Sequence, residues 1–182
     1  MNWRTAIKEY RAYIQLEKAL SANSVEAYER DVEKLHSYIV GYFKDISPLE
    51  VQLTHLQQFL KALNEVELSP RSQARIISGI KGFYKYLLFE DLISDDPTEL
   101  LELPKIGRKL PDTLSQEEID LLIDAIDLSH PQGQRNYAIL ETLYSCGLRV
   151  SELIGLRISD LFFNDGFIRV IGKGDKERLV PI

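Results

Sequence analysis

The chain has 182 residues, a formal net charge of −6, and 45% hydrophobic and 27% charged residues. Those proportions exclude a disordered or fibrous chain and fit one large domain or two small ones. No apolar run is long enough to span a bilayer, and the N-terminus does not read as a signal peptide. One cysteine, Cys146, excludes an internal disulfide framework, so a cytoplasmic location is the expectation. An acidic total leaves nucleic-acid binding open, because local clustering of cations matters more than the sum.

The first hundred residues carry only helical periodicity. Trp3, Ile7, Tyr10 and Ile14 recur at helical spacing. A second helix is expected from near Asn23, with Glu26 completing a capping box and Val25, Tyr28, Val32, Leu35, Ile39 and Tyr42 on one side. Thr54 and Gln57 open a third, and Ser69-Pro70 a fourth, with a capping serine and a proline at the first helical position. Asp96-Pro97 repeats that signal and predicts a short final helix.

The stretch LPKIGRKLPDTLS, 103–115, has two prolines, a glycine and three cations without periodicity, which reads as a linker. Ser115 with Glu118 then starts a new helix. Another helix follows from about Gly133 to Ser145. It is apolar on most sides and therefore expected to be buried, and Gly147 ends it. After the short helix VSELIGL, the segments LFF, FIRVI and RLVPI predict three antiparallel strands, turning at Asn164-Asp165-Gly166 and at GKGD.

The fourth helix, SPRSQARIISGIKGFYKYLLF, divides into two faces. Ile76, Ile80, Phe83 and Leu87 share one side. Arg71, Arg75, Ser78 and Lys85 share the other, with Lys81 at its flank, and no acid occurs between Ser69 and Tyr86. A charged helix face is most often only solvated, but such faces usually mix signs. An acid-free face with small residues between its cations suits a phosphate backbone or a DNA groove.

In the second half, Arg149 follows the helix-ending glycine and so stands at a junction between helices. In isolation it reads as a bridge to Glu152 or Asp160. The loop IGKGDK lacks the G-x-x-x-x-G-K-[ST] pattern and opens no helix, which excludes a phosphate-binding NTPase loop. His36, His55 and His130 are scattered, so no metal site is expected.

The stretches TLYSCGLRVSELIGLRISDL and IRVIGKGDKERLVPI, with SQARIISGIKGFYKYL, DDPTELLELPK and RKLPDTLSQEE upstream in the same order, resemble the tyrosine recombinase (phage-integrase) family. These enzymes break and rejoin DNA at specific sites, and the resemblance is closest to the bacterial XerC/XerD type. It implies a mainly α fold with a small antiparallel sheet. Residues 1–104 would form a SAM-like four-helix DNA-binding bundle and 105–114 a linker. Residues 115–182 would be the first part of an α+β catalytic domain, incomplete at its end. The resemblance assigns Arg149 to the first catalytic arginine and Lys173 to the lysine of the β-hairpin.

Phosphodiester transfer builds negative charge on the non-bridging oxygens, which a guanidinium can meet with two hydrogen bonds, while a lysine can protonate the departing sugar oxygen. Lys105, Arg108 and Lys109 in the linker are expected DNA contacts. Lys176 and Arg178 near the hairpin tip read as phosphate contacts or solvated charges. The family's H-x-x-R pair and its tyrosine nucleophile have no counterpart here. The expectation is therefore a chain that binds double-stranded DNA without cleaving it; the alternative is a naturally short, non-catalytic DNA-binding relative. The intact enzyme would act as a homo- or hetero-tetramer with a second recombinase on DNA, without metal or cofactor.

Overall fold

The computed structural model describes residues 1–44, 46–107, 110–172 and 174–182. The chain divides into two compact units, Met1–Arg108 and Lys109–Ile182.

The first unit holds four helices, α1 (Trp3–Leu16), α2 (Ala22–Phe43), α3 (Leu53–Glu65) and α4 (Pro70–Phe89). Each start has a local cause. Asn2 Oδ1 accepts from the Thr5 N–H at 2.8 Å, and Ser69 Oγ accepts from Ser72 ahead of Pro70. The apolar stripes meet in one core, with Val32, Leu35, Ile39, Leu56, Ile76, Phe83, Tyr84 and Leu87 wholly or almost wholly buried. Buried polar ends find partners at its edge. Trp3 Nε1 donates to the Ile46 carbonyl at 2.9 Å, and Tyr84 Oη to that of Pro48 at 3.3 Å.

Two starts differ from expectation. Helix α2 begins at Ala22, capped by Ser21 rather than Asn23, because Ser21 has extended backbone and its Oγ accepts from Ser24 N–H. Helix α3 begins at Leu53, and the Gln52 N–H donates to His55 Nδ1 at 3.0 Å in place of the Thr54–Gln57 pairing.

The helix expected at Asp96-Pro97 is a turn instead. Asp96 Oδ1 accepts from both the N–H and the hydroxyl of Thr98, and the backbone bonds Glu99→Asp96 and Leu101→Thr98 tighten the chain. A short acidic side chain that satisfies the first turn locally offers little reason to propagate it, and Pro104 limits what could follow.

The second unit contains α5 (Gln116–Asp124), α6 (Gly133–Cys146), α7 (Val150–Ile154) and an antiparallel sheet in the order β1 (Leu161–Phe162), β2 (Phe167–Ile171), β3 (Glu177–Pro181). Ser115 and Glu118 form the expected reciprocal cap on α5. Gly147 ends α6 at φ +58°, a left-handed conformation that glycine adopts without strain.

Its core is small: Leu148, Ile168 and Val170 are buried, with Leu143, Cys146, Leu153, Leu156 and Val180 against them. Helix α6 is not buried as expected. Within the described residues only Gly133 of α6 is buried, and Tyr137 and Tyr144 are exposed, because one flank of the helix serves this thin core and the rest does not.

Candidate nucleic-acid interface and phosphate site

The two faces of α4 separate as its periodicity requires. Ala74, Ile76, Ile77, Ile80, Phe83 and Leu87 are buried, whereas Arg71, Arg75, Ser78 and Lys85 are exposed and Lys81 is half-buried. Ser78 Oγ donates to the Ala74 carbonyl at 2.8 Å, so its hydroxyl offers a ligand lone pairs rather than a proton.

Among these cations Arg75 differs from the others. Its Nη1 donates to Asp31 Oδ2 at 2.5 Å, and Asp31, on α2, is fully buried. Burial raises the Asp31 carboxyl above its ordinary value, and the Arg75 guanidinium pulls it back. Oδ1 has no hydrogen-bond partner among the described residues. Gly79, one turn beyond Arg75, makes the approach possible: a Cβ there would lie 2.8 Å from Oδ2 and 2.9 Å from the Asp31 Cβ.

Sequence reasoning missed Asp31, although a signal existed. The residue lies three after Tyr28 and four before Leu35, an acid on the inward stripe of α2.

In the second unit Arg149 is the residue just before α7. Its backbone N–H donates to Glu152 Oε2 at 2.8 Å and its Nη1 to Oε1 at 2.9 Å, yet the side chain remains 73% exposed. Of the two bridges open from sequence, Glu152 is the one formed; Asp160 pairs instead with Arg169.

Glu152 is buried and receives a second arginine. Arg178 donates from Nη1 to Oε1 at 2.8 Å and from Nη2 to Oε2 at 2.9 Å, a bidentate pair. The Arg178 hydrogen bonds, followed by the Arg149 backbone N–H, hold this carboxyl well below the usual carboxylate range.

The reading of Arg178 as a solvated charge is therefore corrected. In the register of the sheet it lies opposite Val170, and Val180 lies opposite Ile168, so Arg178 shares the inward face of β3. The alternation in RLVPI carried that signal.

Lys105 and Lys176 are exposed, and Lys173, Arg108 and Lys109 lie outside the described residues. Around the tip the Gly172 N–H donates to the Lys176 carbonyl at 2.8 Å, and Gly174 and Asp175 both have positive φ. Among the described residues no cluster of His, Cys, Asp and Glu could hold a metal ion, and no helix is long and apolar enough to cross a membrane. The arrangement thus presents one arginine to solvent, fixed at its root by a carboxylate that a second arginine keeps ionised. That is a preorganised donor for an anionic oxygen.

Residues 7–91 match the family described as phage integrase, N-terminal SAM-like domain, and residues 112–182 match the phage integrase family. The chain belongs to the tyrosine recombinase family. Within it the sequence is of the XerC/XerD type. It is 42% identical over 176 residues to tyrosine recombinase XerD of Proteus mirabilis, covering 97% of this chain and 56% of that protein. Against tyrosine recombinase XerD of Staphylococcus aureus it is 42% identical over 179 residues, covering 98% of this chain and 60% of the other.

The chain therefore spans somewhat over half the length of these relatives. Solved structures share its fold. A lambda integrase dimer bound to a COC′ core site matches with a TM-score of 0.77 at 14% identity, over 100% of this chain and 49% of the integrase. The Tn1549 transposon integrase in complex with circular intermediate DNA matches at 0.69 and 21% identity, over 97% and 60%.

Proposed function

We propose that this sequence is the DNA-gripping and charge-stabilising part of a site-specific DNA recombinase. The observation that supports it most is Arg149, mostly exposed while its Nη1 is held by the buried Glu152. In the reaction a tyrosine Oη attacks the scissile phosphorus, the bond from phosphorus to the 5′-oxygen breaks, and a 3′-phosphotyrosine remains. Arg149 meets the charge on the non-bridging oxygens, and Lys173 gives its proton to the departing 5′-oxygen. Loss of one such charge-stabilising donor typically costs about 3–4 kcal/mol of transition-state stabilisation.

None of the nine tyrosines stands in the family's nucleophile motif, and electrostatic groups cannot replace a nucleophile. The 182-residue chain binds duplex DNA through α4, Lys105, Arg108, Lys109 and Lys176 and forms no covalent adduct. Within the cytoplasm the full-length enzyme works as a tetramer with itself or a second recombinase, in DNA integration or in chromosome partition during the cell cycle.

The test pairs a native-gel shift with a denaturing-gel assay for covalent adducts on a recombination-site duplex. The 182-residue chain should shift the duplex without an adduct, whereas a chain of the relatives' full length containing this sequence should form one. In that longer chain, Lys173→Ala should be rescued by a 5′-bridging phosphorothioate, whose sulfur leaves without a proton, and Arg149→Ala should not. An adduct from the 182-residue chain would refute the division of labour, and failed rescue would remove Lys173 as the acid.

A further inference from the structure

We infer that Arg75, pinned by Asp31, reads a guanine edge in the major groove and sets sequence preference on a face whose other cations grip phosphate. The inference rests on α4 being the duplex-binding surface.

Charge separates the two kinds of cation. Among the described residues Arg71 and Lys85 have no acidic partner, so a phosphate meets their full charge. Arg75 is matched by a carboxylate at 2.5 Å, and to a polyanion the pair is close to neutral. Such a pair adds little to counterion release, the sequence-blind part of affinity. What it adds is direction. One Nη1 bond is used on Asp31, the side chain is still 47% exposed, and the Nε–Nη2 edge has no protein partner among the described residues.

The anchor is stiff. Asp31 is fully buried on α2, and the missing Cβ of Gly79 lets α4 settle against it. A guanidinium held at its root loses less freedom on making two further hydrogen bonds. Guanine is the base that presents two acceptors, O6 and N7, side by side in the major groove, a groove wide enough for a helix. A phosphate accepts from many directions and gains little from a fixed fork. Ser78 keeps the same face low enough for close approach.

The test combines selection of duplexes from a randomised pool with salt titration of the selected site, on the 182-residue chain. Wild type should enrich a guanine at one position. Arg75→Ala and Arg75→Lys should reduce preference for that guanine roughly ten- to a hundred-fold, with the log–log salt slope nearly unchanged. Arg75→Lys keeps the charge, which guards against a folding artefact in the alanine variant. Asp31→Asn should lose the same preference while retaining its helical circular dichroism. Arg71→Ala and Lys85→Ala should each flatten the slope by about 0.9 and leave the preference intact.

The inference is overturned if wild type enriches no guanine, if Arg75→Lys keeps the preference, or if Arg75→Ala flattens the slope as Arg71→Ala does. Asp31→Asn with its preference intact overturns the role of the carboxylate. Should Arg71→Ala and Lys85→Ala leave binding untouched, the duplex-binding reading of α4 fails and takes this inference with it.

Discussion

Each unit of the chain buries a carboxylate against arginine, and the two are built in opposite ways. Among the described residues Asp31 has one arginine, an unpartnered oxygen and a carboxyl raised by burial. Glu152 has two arginines, a backbone N–H, both oxygens satisfied and a carboxyl held low. The helical unit has a large apolar core that can carry an incompletely paired charge. The sheet unit has three buried apolar residues at its centre, and the Glu152 cluster ties the start of α7 to β3 across it. The same residue chemistry is a tolerated cost in one unit and a structural tie in the other.

The strongest way to break this contrast is Glu152→Gln. It keeps the shape but leaves Arg149 and Arg178 without their anion, and breaking one side of a buried pair is severely destabilising. The thermal transition of the sheet unit should fall by roughly 10 °C while that of the helical unit stays in place. Equal behaviour of the two transitions would end the distinction. Hydrogen exchange sharpens it: amides of α1 to α4 should be the better protected set, since Ile154, Ile158, Phe163 and Leu179 leave much apolar surface of the second unit open. Self-association that covers this surface should appear as protection rising with concentration.

Acid should act on these two carboxylates with opposite sign. Glu152 has a folded value below its ordinary 4.5, so its contribution is full above that pH and is lost as pH falls toward the folded value. Asp31 has a folded value above its ordinary 3.8, so its contribution is lost as pH rises through the folded value and is complete below 3.8. Arg75, Lys34 and Arg30 moderate that rise without reversing it. Thermal scans from pH 7 to 3 should show the Glu152→Gln variant with a flatter acid dependence of the sheet transition than wild type. Asp31→Asn should remove a term of the other sign from the helical transition. A wild-type and Asp31→Asn pair with superimposable pH profiles would contradict the raised carboxyl.

Much of this was legible in the sequence, and the parts that were not share a cause. The four helical stripes, the Ser69-Pro70 start, the Ser115–Glu118 box and the Gly147 stop are local patterns, and the structure has all of them. Asp96-Pro97 shows the same local signal as Ser69-Pro70, but no amphipathic run follows, and a turn results. Pairings across distance were illegible. Arg75 finds Asp31 44 residues away, and Arg178 finds Glu152 26 residues away. Each acid or base had a parity clue on its own element, but nothing local says which partner an inward charge will meet. The burial of α6 was misjudged because an apolar helix is covered only where its own unit supplies a layer.

Gly79→Ala should have a smaller effect. Its Cβ would stand 2.8 Å from Asp31 Oδ2, and relieving that contact costs on the order of 1–3 kcal/mol, partly offset by about 1 kcal/mol of better helix propensity. In an Asp31→Ala background the obstruction is gone, and the same substitution should become stabilising by up to about 1 kcal/mol. Chemical denaturation of the four-member cycle reads both signs, and an unchanged sign in the alanine background would mean that Gly79 is not there for the carboxylate.

The smallest expected change is the most discriminating. Asp31→Asn removes a buried charge that is half unpartnered, and it frees an arginine that is already 47% exposed and can hydrate. The lost ion pair and the lost desolvation penalty oppose each other, so the midpoint of the helical unit should move by no more than about 1 kcal/mol in either direction. Glu152→Gln has less compensation, because both Glu152 oxygens are hydrogen-bonded and more of those bonds are lost. If Asp31→Asn proved as damaging as Glu152→Gln, Asp31 would be a structural tie of the same kind, and the positioning of Arg75 would be a by-product of folding. A near-neutral midpoint together with altered DNA discrimination would leave the positioning of Arg75 as the reason for burying an acid under α4.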